Sequence, residues 1–137
     1  MSQAKGRNSK KRILAVDDTA LILTRISNTL RDDYDVITVN SGVRALKYLE
    51  LERPDLILLD IQMVPKDGVE TLRQIRSMKD TEDIPVIMLT GVEDKEVVLK
   101  SARLGICDYI LKPFSSDDLL SRIHRAFDKQ EQKDVES

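Results

Sequence analysis

The sequence reads as a three-layer α/β sandwich, a five-stranded parallel sheet with helices on both faces. Two observations carry this reading. Short unbroken apolar runs recur at Ile13-Leu14-Ala15-Val16, Leu56-Ile57-Leu58-Leu59, Val86-Ile87-Met88-Leu89 and Tyr109-Ile110-Leu111, the pattern of strands buried on both faces. Between them lie stretches with apolar residues at helical spacing, so that strand and helix alternate five times along the chain. Short loops and right-handed crossovers then stack the helices against the sheet.

The elements follow in order. After the first strand, Thr19 is placed to cap a helix reaching about Leu30, with Leu23, Ile26 and Leu30 as its buried stripe. Tyr34 to Val39 forms the second strand, and its Thr38 and flanking Asp residues suit an edge position. Ser41 caps the second helix, which turns Ala45, Leu46 and Leu49 inward and stops before Pro54. Val69, Leu72 and Ile75 stripe the third helix. The fourth, roughly Asp94 to Leu104, has Val97, Val98 and Ala102 as its apolar side, and Gly105 suits its stop. Ser115 and Asp118 open the fifth helix in the manner of a capping box, and Leu119, Leu120, Ile123 and Phe127 carry it to about Gln130.

At 137 residues the chain makes one domain. Residues 1–11 read as a disordered basic lead-in carrying Lys5, Arg7, Lys10 and Lys11, residues 12–130 as the domain, and residues 131–137 as a polar tail. With 22 basic and 24 acidic residues there is no global field to favour nucleic acid or an anionic membrane. No stretch is long and apolar enough for a transmembrane helix, and the start lacks the apolar segment of a signal peptide. Cys107 stands alone, which excludes an internal disulfide and suits a reducing compartment. The cytoplasm is the expected location.

In parallel sheets of this kind ligands bind outside the carboxyl ends of the strands, where the strand order reverses. Here those ends carry Asp17-Asp18, Asp60, Thr90 and Lys112-Pro113. Three carboxylates at one spot raise at least one pKa unless a cation is present. A hard divalent ion such as Mg²⁺ resolves the crowding, because it accepts one or two carboxylates and leaves room for phosphate oxygens. Lys112 offers a point charge and Thr90 a hydroxyl donor, and phosphoryl transfer needs mainly positioning and charge stabilisation. Taken alone, Asp17-Asp18 reads as a turn and helix cap. With Asp60 and Lys112 present, the metal-site reading is preferred.

Asp17-Asp18, Asp60, Thr90, Tyr109 and Lys112-Pro113, in this order and spacing, resemble the receiver domain of two-component response regulators of the chemotaxis-regulator type. The likeness covers about residues 11–130. It implies a flavodoxin-like sheet with strand order 2-1-3-4-5. By the same likeness Asp60 is the phospho-acceptor, charged by a sensor histidine kinase or a histidine phosphotransfer protein. Asp18 and Asp60 would bind Mg²⁺ directly, Asp17 through water, and the backbone carbonyl of Gln62 would complete the set. Thr90 and Lys112 would grip the phosphoryl oxygens. Tyr109 would be the aromatic switch, although a core aromatic with a satisfied hydroxyl is an equal reading. The Lys112-Pro113 bond would be cis. The output face would be the fourth helix, last strand and fifth helix, used by many receivers for docking or as a homodimer contact.

Some positions depart from the family pattern. The family's Pro four residues after the acceptor is here Val64, with Pro65 next, while Asp67-Gly68 keep their offset. Gly105-Ile106 replaces a common Gly-Ala. Gln62 and Val92 occupy positions that tune water access to the acyl phosphate. His124 reads as a surface or packing residue and Cys107 as a small filler near the last strand.

The rival functions are a pseudo-receiver that binds without being phosphorylated and a Mg²⁺-dependent phosphatase of small molecules. The first typically loses an acidic residue or the Lys, both retained here. The second needs a lid, a pocket and a general acid that the chain does not supply. Whether the receiver acts alone on a downstream target or serves a further output domain is open.

Overall fold

The computed structural model describes residues 10–63, 68–91 and 95–136. Val64-Pro65, Asp67, Val92, the start of the fourth helix at Asp94 and the first nine residues of the basic lead-in lie outside them. Strands β1 (Arg12–Val16), β2 (Asp35–Val39), β3 (Leu56–Asp60), β4 (Val86–Thr90) and β5 (Asp108–Leu111) alternate with five helices. These are α1 (Ala20–Leu30), α2 (Gly42–Leu51), α3 (Gly68–Ser77), α4 (Lys95–Leu104) and α5 (Ser116–Glu136). The sheet is parallel throughout, in the order β2-β1-β3-β4-β5. This is the flavodoxin-like arrangement, with β2 at one edge.

Side chains alternate between the two faces of each strand, which divides the core in two. Ile13, Ala15, Leu56, Leu58, Ile87, Leu89 and Ile110 pack with Leu23, Ile26 and Leu30 of α1 and Leu119, Ile123 and Phe127 of α5. Leu14, Val16, Ile57, Leu59, Val86 and Met88 pack with Ala45 and Leu49 of α2 and with Leu72 and Ile75 of α3. Met63 joins that second cluster. The expected inward residues of α1, α2, α3 and α5 are therefore the ones buried or half-buried.

Four local expectations change. The last apolar run is an edge strand, so Tyr109 and Leu111 are exposed instead of buried on both faces. In α4 the buried residue is Ser101 while Ala102 faces solvent. Small polar residues are read as surface, yet this serine is buried, and among the described residues its hydroxyl has no hydrogen-bond partner. Helix α5 runs to Glu136, beyond the expected stop near Gln130. Residues 131–135 of the polar tail form its exposed end, where no Gly or Pro interrupts the helix. Cys107 is exposed and fills no core space.

Capping follows the sequence at two of three positions. Ser41 Oγ accepts from Arg44 N at 3.1 Å, and Ser115 Oγ accepts from Asp118 N at 3.0 Å. Thr19 stands at the N-cap of α1 but its side chain makes no capping bond. Its backbone N–H instead donates to Asp17 Oδ1 at 2.9 Å. Gly105 ends α4 at φ 99°, a left-handed conformation open to glycine, and its carbonyl accepts from Arg76 Nη2 at 2.8 Å. His124 is exposed on α5 with its ring centroid 5.9 Å from that of Tyr34, a packing contact.

Candidate functional site

Strand register builds the site. Val16 pairs with Leu59, Asp60 with Leu89 and Thr90 with Leu111. The ladders continue just past the strand ends, through Ile61 N to Leu89 O at 2.8 Å and Lys112 N to Thr90 O at 2.7 Å. Alternation puts Asp60 and Lys112 on the α1/α5 side, in step with Leu58 and Ile110. Asp17 follows Ala15 on the same side. Three charged side chains thus reach one point from three strands, although Asp17 and Lys112 stand 95 positions apart in the chain.

Asp17 is fully buried and Asp60 is 2% exposed, while Asp18 faces solvent. Ligand oxygens of all three lie within 4.8 Å of one another. Lys112 Nζ donates to Asp17 Oδ2 at 2.6 Å and stands 3.4 Å from Asp60 Oδ1. The backbone N–H of Gln62 donates to Asp60 Oδ1 at 3.1 Å. Burial, and next the charge of Asp17, push the Asp60 carboxyl up to about 6, with Lys112 and the Gln62 N–H pulling the other way. One ammonium therefore leaves the cluster short of positive charge. Hard oxygen donors, close spacing and residual negative charge fit a small divalent cation.

Thr90 closes β4, the strand next to the one that carries Asp60, and is buried at 2% exposure. Tyr109 is 40% exposed, so the core-aromatic reading is set aside and the ring stands outward. The Lys112-Pro113 peptide is cis, as the resemblance implies. Phe114, which follows, is buried. Its carbonyl accepts from Arg25 Nη2 at 2.6 Å.

In the sequence Gly68 stands out only by keeping, with Asp67, the family's offset from the acceptor. The structure gives it a steric task. A Cβ there would collide with the Asp60 carbonyl oxygen and come within 2.7 Å of Ile61 Cα. The Gly68 N–H donates to Ile61 O at 2.8 Å. The start of α3 thus leans directly on the backbone that carries Asp60.

A five-stranded doubly wound sheet with an Asp triad and a lysine at its carboxyl edge defines a receiver-type domain. The response regulator receiver domain model matches residues 13–124, and the chain belongs to that family. The alkaline phosphatase synthesis transcriptional regulatory protein PhoP of Bacillus subtilis is 40% identical over 114 residues, 82% of this chain and 47% of that protein. A CheY-like receiver domain from Methanospirillum hungatei superposes with a TM-score of 0.85 at 32% identity, covering 90% of this chain and 98% of that one. The receiver domain of a sensor histidine kinase from Pseudomonas aeruginosa has a TM-score of 0.77 at 31% identity, covering 85% and 96%. That structure holds a magnesium ion coordinated in its active-site cleft. The chain spans about half the length of the first curated relatives it matches. Receiver domains accept phosphate from histidine kinases and are typically regulators. Among the described residues no helix is long and apolar enough to cross a membrane.

Proposed function

We propose that this receiver domain is a phosphorylation-controlled switch in which Asp60 takes a phosphoryl group from a phosphohistidine of a sensor histidine kinase or histidine phosphotransfer protein. The observation that carries this reading is the buried Asp60 carboxylate, 3.4 Å from Lys112 Nζ and within 4.8 Å of two further carboxylates. In the transfer the donor N–P bond breaks and an Asp60 O–P bond forms. Asp17, Asp18, Asp60 and the Gln62 backbone carbonyl would hold Mg²⁺, which when bound offsets the repulsion between phosphoryl oxygens and the attacking carboxylate.

Lys112 and Thr90 supply the response. Charge-assisted hydrogen bonds to two phosphoryl oxygens, at roughly 1.5–3 kcal/mol each, approach the about 5.5 kcal/mol that swings a two-state equilibrium from 1:99 to 99:1. To reach the phosphoryl group Lys112 would loosen its bond to Asp17. Tyr109, outward now, would turn inward as Thr90 moves and reshape the face made by α4, β5 and α5. That face would dock a downstream protein or a second copy. The chain promotes only its own phosphorylation and dephosphorylation, not turnover of a small molecule.

Incubation with acetyl phosphate and Mg²⁺ should add one phosphoryl mass to the intact protein. Chelator or Asp60→Asn should abolish it. Equal labelling under either condition would overturn the reading, and release of phosphate over many turnovers would favour an enzyme. With beryllofluoride as the phosphoryl mimic, hydrogen exchange should change mainly in residues 90–127. Changes concentrated in α1 and α2 would move the output face there.

A further inference from the structure

We infer that Arg25 is a positioning residue for Lys112, acting through Phe114, an inference that rests on the phospho-acceptor reading above. The strand order sets the problem. β1 and β5 are separated by β3 and β4, three strand spacings or roughly 14 Å, and no ladder joins them. Lys112 at the end of β5 still reaches Asp17 at the end of β1 with a 2.6 Å bond. A long flexible side chain holds such a contact only if its own backbone is fixed relative to β1.

Helix α1 supplies that link. It begins directly after the Asp17-Asp18-Thr19 turn and packs against α5. Arg25 Nη2 donates to the Phe114 carbonyl at 2.6 Å, and its guanidinium carbon stands 5.1 Å from the centroid of the Phe114 ring. One turn further along the same face of α1, Thr29 Oγ1 lies 3.2 Å from Ser116 Oγ. Both contacts grip the short segment through which the chain leaves Lys112 and enters α5.

The chemistry suits a guanidinium. The first α5 carbonyl in helical use is that of Ser115, which accepts from Leu119 N at 3.1 Å. Phe114 O lies outside the helix ladder and needs a donor from elsewhere. A planar cation can meet that oxygen and lie against the adjacent ring together. Arg25 touches none of the reacting atoms. Its effect is to fix where the Lys112 ammonium starts from, so that the carboxylates of β1 and the lysine of β5 move as one frame.

The test compares wild type, Arg25→Ala and Arg25→Lys, each also in a Lys112→Ala background. Arg25→Ala should slow Mg²⁺-dependent labelling by acetyl phosphate by roughly tenfold to a hundredfold, the cost of about 1 Å of misplacement. Mg²⁺ should still bind, because Arg25 itself touches no carboxylate, and its affinity should change by less than the labelling rate. Arg25→Lys should recover part of the rate, and Arg25→Ala should cost nothing more once Lys112 is gone. Wild-type labelling by Arg25→Ala, or the same loss with and without Lys112, would overturn the inference. A second readout is independent of labelling: the side-chain carbon signals of Lys112 in the metal-free protein should move toward free-lysine values in Arg25→Ala. Unmoved signals would also overturn it. If wild type takes no phosphate, the proposed function fails while this signal still judges the clamp.

Discussion

Asp60→Asn should make the metal-free protein more stable at neutral pH, by about 3 kcal/mol. The carboxyl ionises near 6 in the fold against 3.8 for the ordinary group, and that difference converts to about 3 kcal/mol at roughly 1.4 kcal/mol per tenfold. The sign follows from proton uptake. Between pH 4 and 6 the folded protein holds more protons at this position than the unfolded chain, so wild-type stability falls as pH rises through that window. The penalty is complete above about 6 and absent below about 4. An amide carries no charge to bury and can still accept from the Gln62 N–H and Lys112. The advantage of the variant should therefore appear only as pH rises from 4 to 6, then level off. Mg²⁺ should narrow it by stabilising the wild-type fold through binding. Urea midpoints of both proteins across pH 4–8, with chelator and with Mg²⁺, measure all of this. Equal stability at pH 7, or an advantage that persists at pH 4, would show that Asp60 is not held as a costly charge.

That penalty also marks where the sequence was most readable. Asp60 ends a run buried on both faces, and a carboxylate in that position contradicts burial preference unless it serves the chemistry. The same logic exposed Asp17 and Lys112. Strand runs, helix stripes and the β2 edge were legible because periodicity is local. Less legible was whatever depends on which elements meet. Tyr109-Ile110-Leu111 is as apolar as the central runs, but pairing leaves β5 at the edge and its alternate side chains exposed. Ser101 looks like surface and is buried, because which side of α4 turns inward is set by the elements it packs on and not by its own apolar stripe. Thr19 has the residue type of a cap, yet Asp17 takes its N–H, a choice set by the carboxylate turn. Arg25 looks like any exposed helix cation; its partner Phe114 lies 89 positions away. Gly68 shows in the sequence only as a kept offset from the acceptor, since the backbone it faces belongs to another element.

Gly68→Ala should damage both stability and the site, and Gly91→Ala should do neither. The added Cβ at Gly68 would strike backbone, the Asp60 carbonyl and Ile61 Cα at 2.7 Å, and backbone cannot rotate away as a side-chain tip can. Either α3 lifts from β3, breaking the Gly68 N–H to Ile61 O bond of 2.8 Å, or the Asp60–Gln62 backbone shifts. Overpacking of this kind costs about 1–3 kcal/mol, occasionally more. The second response also displaces the Gln62 N–H from Asp60 and moves the acceptor itself, so labelling by acetyl phosphate should slow by up to roughly a hundredfold. At Gly91 the nearest atom to an added Cβ is Gln62 Oε1 at 3.9 Å, an ordinary contact with a movable side chain. That substitution should stay within about 0.5 kcal/mol of wild type. Urea unfolding ranks the two variants and labelling rates report the site. If Gly68→Ala matched Gly91→Ala in both, the close approach of α3 to the acceptor strand would not be what holds Asp60 in place.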